Sequence, residues 1–98
     1  VRLDLEMQSE STESVQIKPG SPVIGRTLGE LDLRGKTGAT VVAVVHQGDT
    51  KINPGAKCIL FGDDIVILLG TGDEIRKAVD LLDPIEDFST DTLRGFNP

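Results

Sequence analysis

The chain has 98 residues, a formal net charge of −6 and 38% hydrophobic residues, which indicates one small domain with a modest core. Lysine and arginine are scattered, so the sequence offers no basic patch for nucleic acid or an anionic membrane surface. One cysteine excludes an internal disulfide, and no apolar run is long enough to span a bilayer. Because the first residue is Val1 rather than methionine, we expect a fragment of a longer protein.

Two short strands are predicted in the first part of the chain. Apolar and polar residues alternate over residues 3–7, and this period of two is typical of a half-buried strand. The polar residues 9–14 favour a turn or a bulged connection. The alternation resumes over residues 15–17 and stops at the proline- and glycine-rich residues 19–22.

A short helix is predicted after this stop. Thr27 is followed three residues later by Glu30, the spacing of a capping box in which each side chain accepts the other residue's backbone N–H. Leu28 and Leu31 would then face the core. The glycines within residues 35–38 are expected to lead the chain out of this region.

The middle of the chain alternates between apolar segments and turns. Residues 39–45 are β-branched and bounded by turn residues, which favours a central strand covered on both faces. Residues 65–69 form a second strong strand. Between these two we predict a turn at 48–49, a strand at 51–53 that Pro54-Gly55 ends, a brief apolar segment at 57–61 and a tight turn at 62–64.

A second capped helix follows the last strand. Thr71 and Glu74 repeat the capping-box spacing, and one helical face carries the apolar residues Ile75, Ala78, Val79 and Leu82. Gly70-Thr71-Gly72 lacks the third glycine of a dinucleotide fingerprint and the lysine of a P-loop, so a helix cap is the better interpretation. Asp83-Pro84 should end the helix, and residues 84–98 are expected to form a loose tail.

The order and spacing of these segments resemble the RCK_C domain, which is also called TrkA-C. The similarity covers about residues 13–82 and rests on residues 20–31, residues 38–44, Asn53-Pro54, Gly62-Asp63 and residues 65–70. The resemblance implies an α+β fold with a small mixed β-sheet and two short helices, which pairs as a homodimer. Residues 1–83 would form this domain.

The resemblance also implies a function. Such domains are cytosolic ligand-sensing regulators of potassium or other monovalent cation transport proteins, whether channels, uptake systems or cation/proton antiporters, and they are not enzymes. The expected partners are a second copy, a membrane-embedded channel or transporter and a small-molecule or ion ligand, with no nucleic acid. The expected location is cytoplasmic, attached to or associated with the transport protein. The alternative is a structural dimerisation or adaptor module without a ligand.

The ligand is open at this point, and cyclic di-AMP and divalent cations are both bound within the family. In members that bind cyclic di-AMP, aliphatic residues of the central strand, a basic residue and an Asn-Pro pair form the pocket. The matching positions here are Val42, Val44, His46, Ile52, Asn53 and Pro54. Aliphatic side chains can pack on adenine, and asparagine can hydrogen-bond a base edge or a phosphate. His46 stands where an arginine is common, and a neutral histidine is a poorer phosphate partner than a bidentate arginine.

Each candidate also has a structural interpretation. Asn53-Pro54 can simply end a strand, and His46 can be a solvated residue at a strand end. Asp63-Asp64 can form a turn or offer oxygen ligands to a hard cation such as Ca²⁺. Cys58 lies among apolar neighbours and is expected to be a small buried residue. No motif orients it for catalysis with His46. The sequence therefore predicts no catalytic residue, and it leaves a metal site undefined.

Overall fold

The computed structural model describes residues 9–84. The strand predicted for residues 3–7 and nearly all of the tail predicted for residues 84–98 lie outside these residues. In chain order the elements are β1 (Ser11–Gln16), α1 (Leu28–Leu31), α2 (Leu33–Thr37), β2 (Thr40–His46), β3 (Asp49–Ile52), β4 (Ile65–Gly70) and α3 (Gly72–Leu82).

The four strands form one sheet in the order β1-β4-β2-β3. The α+β class is confirmed, but within residues 9–84 the sheet is antiparallel throughout rather than mixed. The connections explain this difference. Gln47 and Gly48, with φ of 51° and 82°, form a two-residue turn that joins β2 to β3, and such a turn joins only antiparallel strands. β4 separates β1 from β2 and runs opposite to both.

The first predicted helix is present as two short helices. The capping box is confirmed, since the Glu30 N–H donates to Thr27 Oγ1 at 3.1 Å and the Thr27 N–H donates to Glu30 Oε1 at 2.9 Å. Asp32 then adopts the left-handed conformation, with φ of 47°, and ends α1 while it caps α2. Gly38 ends α2 with φ of 87°. The break at Asp32 was not predicted, because a non-glycine residue in the left-handed conformation is uncommon and leaves little signal in a sequence.

The second predicted helix is confirmed as α3. Thr71 caps it, and the Thr71 N–H donates to Glu74 Oε1 at 2.9 Å. The helix ends at Asp83, as expected before a proline. Its buried residues Ile75, Ala78 and Leu82 belong to the predicted apolar face.

The helices pack on one face of the sheet. Burial alternates along β4, so that Val66 and Leu68 are fully buried while Ile65, Ile67 and Leu69 are half-buried. The sheet face that carries Val66 and Leu68 packs against the helices and the connecting segments in one aliphatic core. The members of this core are Val15, Ile17, Val23, Leu31, Leu33, Ala39, Val44, Leu60, Val66, Leu68, Ala78 and Leu82. The prediction that the central strand is covered on both faces is therefore not met by residues 9–84 alone.

Strand and turn bounds differ from the prediction in two places. The β2–β3 turn lies at residues 47–48 and β3 is Asp49–Ile52, where a turn at 48–49 and a strand at 51–53 were predicted. Residues 9–14 were expected to turn, but Ser11–Gln16 is a strand whose side chains are exposed except at Val15. An edge strand with one solvated face tolerates this polar composition because its backbone pairs with β4. Residues 57–61, predicted as a brief apolar segment, form no strand, but their backbone pairs with that of residues 26–28. The Leu28 N–H donates to the Cys58 carbonyl at 2.9 Å, and the Leu60 N–H donates to the Arg26 carbonyl at 3.0 Å.

Candidate ligand site

A β-bulge in β2 separates the predicted ligand residues. Val41 lies opposite Leu68 and Val44 lies opposite Val66, and the register shifts between Val41 and Ala43. Val44 is 3% exposed and belongs to the core, whereas Val42 occupies the extra position of the bulge and is not part of that core. Val42 and Val44 therefore do not form one aliphatic wall, although their spacing in a regular strand would place them on the same face.

The other predicted ligand residues, Ile52, Asn53 and Pro54, lie at the end of β3 and do not share one site. Ile52 is 72% exposed and lies opposite Ala43. The Asn53 N–H donates to the Val42 carbonyl at 2.9 Å, and Asn53 has φ of 53°, so this residue turns the chain out of the strand. Pro54 lines a separate cavity of about 200 Å³ beside α1. The strand-ending role of Asn53-Pro54 is confirmed, and their contact with a ligand stays a prediction.

Val44 and His46 do share a cavity, whose volume is about 370 Å³. We call it the hairpin cavity, because the β2–β3 hairpin forms one wall and residues 57–61 form most of the other. Its volume is within the range of small-molecule sites. The lining residues are Val44, His46, Asp49, Thr50, Lys51, Lys57, Cys58, Ile59, Phe61 and Asp64.

A buried carboxylate holds the histidine of this cavity. Asp64 is 1% exposed, and its Oδ1 lies 2.5 Å from Nδ1 of His46. Its Oδ2 accepts the Phe61 N–H at 2.9 Å. The His46 ring also lies against the Phe61 ring, with 5.0 Å between centroids and 45° between planes. His46 is therefore fixed on two sides, and the predicted solvated state describes only the 42% of its side chain that is exposed.

The backbone of the predicted 62–64 turn places Asp64. The Asp64 N–H donates to the Phe61 carbonyl at 3.2 Å, and the backbones of Asp63 and Asp64 pair with Ile17 at 2.6 and 2.7 Å. The turn interpretation of Asp63-Asp64 is confirmed. Both oxygens of Asp64 already have protein partners, and residues 9–84 contain no group of three histidine, cysteine or acidic residues that could hold a metal ion.

The chemistry of the hairpin cavity combines charge with apolar surface. Lys51 and Lys57 supply cationic groups, while Ile59 and Phe61 add large apolar side chains that are 44% and 45% exposed. Asp49 and Asp64 add acidic side chains to the same lining, so the cavity suits a ligand that combines charged groups with a flat apolar part. Sequence reasoning assigned neither lysine nor Phe61 to a site, and it considered Asp64 only as a turn residue or a cation ligand. The alternation of Lys51 with Ile52 along β3 is a local signal that could have placed Lys51 beside Val44.

The sheet face away from the helices is a second candidate surface. We call it the open face, and it comprises Val45 of β2, Ile52 of β3 and Ile65, Ile67 and Leu69 of β4. Val45 and the three β4 residues are half-buried, so a continuous apolar surface lies at the sheet centre. Apolar surface of this kind is typical of association sites.

Comparison with known proteins places the chain in a family. The model of the TrkA-C domain matches residues 13–83, so the chain belongs to the TrkA-C domain family. The resemblance found in the sequence is confirmed. Within residues 9–84, no helix has both the length and the apolar character needed to cross a membrane.

Two relatives from Bacillus subtilis (strain 168) are similar to part of the chain. The K(+)/H(+) antiporter subunit KhtT is 37% identical over 68 residues, which cover 68% of this chain and 41% of the relative. The Ktr system potassium uptake protein C is 32% identical over 75 residues, which cover 76% of this chain and 34% of the relative. The similarity thus spans about two fifths and one third of the lengths of these relatives.

Solved structures share the fold. The RCK_C domain dimer of S. agalactiae BusR in complex with c-di-AMP has a TM-score of 0.69 at 25% identity, covering 74% of this chain and 96% of that chain. S. agalactiae BusR in complex with its busAB-promotor DNA has a TM-score of 0.63 at 26% identity, covering 72% of this chain and 36% of that chain.

Proposed function

We propose that this chain is the cytosolic ligand-sensing regulatory domain of a potassium or other monovalent cation transport protein, with the domain spanning residues 1–83. The observation that carries this proposal is the TrkA-C match over residues 13–83, together with two relatives named as components of potassium transport systems. The two names give potassium transport as the context, and the regulatory role is what the family resemblance implies. Channel, uptake system and cation/proton antiporter are all compatible contexts.

The proposed mechanism places a ligand at a homodimer interface. The open face is apolar at its centre, and a second copy of this chain is the occupant we propose, because the similar BusR domain is described as a dimer. Burial of apolar surface would supply the free energy of association. A ligand that prefers one arrangement of the two copies would then shift the populations of the conformational states of the transport protein.

The proposed ligand is a cyclic dinucleotide, with cyclic di-AMP as the first candidate. The BusR domain dimer was solved with c-di-AMP, and the hairpin cavity offers cationic and apolar groups beside two predicted contacts, Val44 and His46. Val42, Ile52, Asn53 and Pro54 remain predicted contacts. They lie apart from the cavity within one chain, so one ligand would touch both groups only if the two groups came from different copies.

Nucleic acid is not among the partners that we propose. The net charge of −6 disfavours contact with a phosphate backbone. The similarity to DNA-bound BusR covers only 36% of that chain, so it does not by itself assign DNA contact to this domain.

Titration calorimetry tests ligand sensing, and sedimentation equilibrium tests the dimer. We expect a dimer that binds cyclic di-AMP with measurable heat, with ATP, Ca²⁺ and Mg²⁺ as comparison ligands. Ile67→Asp should give a monomer, because it introduces a charge into the centre of the open face. Lys77→Asp changes an exposed residue of α3 and serves as the matched control.

The outcomes separate the two functions. A dimer that gives no heat with any of these ligands would favour the structural dimerisation module and exclude these ligands. A wild-type chain that stays monomeric and binds nothing would contradict both functions.

A further inference from the structure

The two nitrogens of the His46 ring have different environments. Nδ1 lies 2.5 Å from Asp64 Oδ1, and Asp64 is 1% exposed. An ionised carboxylate only accepts hydrogen bonds, so when Asp64 is ionised the proton of this contact is on Nδ1. Nε2 is then the nitrogen that is directed away from the buried carboxylate.

The same carboxylate also sets the wall beside the ring. Asp64 Oδ2 accepts the Phe61 N–H at 2.9 Å, and the Phe61 ring packs against His46 with centroids 5.0 Å apart. Phe61 and His46 both line the hairpin cavity. One buried side chain of the cavity wall therefore orients two other residues of this cavity.

We propose that Asp64 is a positioning residue for ligand binding: it fixes the tautomer and orientation of His46 so that Nε2 is presented to the ligand in the hairpin cavity. This inference rests on the proposed function, because it requires a ligand that contacts His46. A hydrogen bond to the second ring nitrogen is the usual way in which proteins fix the reactive nitrogen of a histidine.

The Asp64→Asn variant distinguishes a positioning role of Asp64 from a role in packing alone. Asp64→Asn keeps the side-chain shape and an oxygen for the Phe61 N–H, but its amide N–H₂ can donate to Nδ1. The ring would then move its proton to Nε2, and the group presented to the ligand would change from acceptor to donor. We expect this variant to bind cyclic di-AMP about tenfold more weakly, which is the effect of one lost hydrogen bond.

A double-mutant cycle provides the matched control. His46→Gln removes the ring that Asp64 orients, so Asp64→Asn should change the dissociation constant of cyclic di-AMP by less than about twofold in that background. Calorimetry measures all four dissociation constants, and far-ultraviolet circular dichroism with thermal unfolding checks that each variant is folded.

Nitrogen NMR gives a readout that a purely structural role would not move. His46 is the only histidine of the chain, so its two ring ¹⁵N resonances are assigned without ambiguity. In the wild-type chain we expect a protonated Nδ1, and the Nε2 resonance should shift when cyclic di-AMP is added. This measurement stands even if Asp64→Asn does not fold.

The outcomes distinguish this inference from the proposed function. Binding by the wild type with an equal loss from Asp64→Asn in both backgrounds, or with an unmoved Nε2 resonance, would overturn the positioning role and leave ligand sensing intact. A wild-type chain that does not bind cyclic di-AMP would overturn the proposed ligand and the positioning role together.

Discussion

Leu68 and Leu69 are adjacent residues of β4 that test which sheet face forms the core. Leu68 is 0% exposed and belongs to the core, whereas Leu69 is half-buried on the open face. Replacing each by alanine removes the same atoms from opposite sides of one strand. The two variants therefore differ in environment and not in chemistry.

The two variants should lose different amounts of folding stability, for different reasons. Leu68→Ala leaves a cavity among packed aliphatic side chains, and such substitutions cost about 2–5 kcal/mol. Against a total stability of about 5–15 kcal/mol this is a large fraction, and the melting temperature should fall by roughly 10 °C or more. Leu69→Ala removes side-chain surface that already meets water in the monomer, so its cost there should stay below about 1.5 kcal/mol.

Urea unfolding followed by circular dichroism, at low and at high protein concentration, measures both losses. The cost of Leu69→Ala should grow with concentration, because dimerisation stabilises the wild type by mass action and this variant weakens the interface. The cost of Leu68→Ala should change little. Equal costs for the two variants at every concentration would refute the assignment of the two faces.

Three further substitutions test local features. Thr71→Ala removes the cap of α3 and should cost about 0.5–2 kcal/mol in urea unfolding. Gly38→Ala should destabilise by more than about 1 kcal/mol, because φ is 87° and a Cβ would lie 2.6 Å from Glu74 Oε2. Gly72→Ala, where a Cβ meets nothing within 4 Å, is its matched control and should be neutral or stabilising. A hydrogen bond from the backbone N–H of the α1 cap lowers the pKa of Glu30 below 4.5. The stability that ionised Glu30 contributes is therefore complete above the unfolded-state pKa and lost as pH falls through the folded-state value, and Glu30→Gln should remove this pH dependence of unfolding.

Local signals allowed much of the fold to be predicted from sequence. Both capping boxes depend on residues three positions apart, and the structure confirms them at Thr27 and Thr71. The strands at 39–45 and 65–69 appear as β2 and β4 with bounds shifted by one residue at most. Propensity, periodicity and caps act over a few residues, so they can be read without knowledge of the pairing.

The candidate site depends on features that no short window contains. The bulge at Val42 places Val44 in the core, so the alternation of β2 alone assigns the wrong faces. His46 and Asp64 lie 18 residues apart and meet only because β4 pairs with β2. Asp32 reverses the chain in a left-handed conformation that a sequence rarely signals. The sequence thus predicted candidate residues, while pairing decided which of them share a cavity.

The position of β2 suggests how a ligand could act on the dimer. β2 carries Val44 and His46 toward the hairpin cavity and Val45 toward the open face. It is paired on both sides, with β3 and with β4, so it moves as part of a packed unit rather than as a hinge. A ligand that binds the dimer more tightly than the monomer must change the dimer dissociation constant by the ratio of its two affinities. Sedimentation equilibrium with and without cyclic di-AMP measures this ratio, and equal dissociation constants despite binding would show that the cavity and the open face are not coupled.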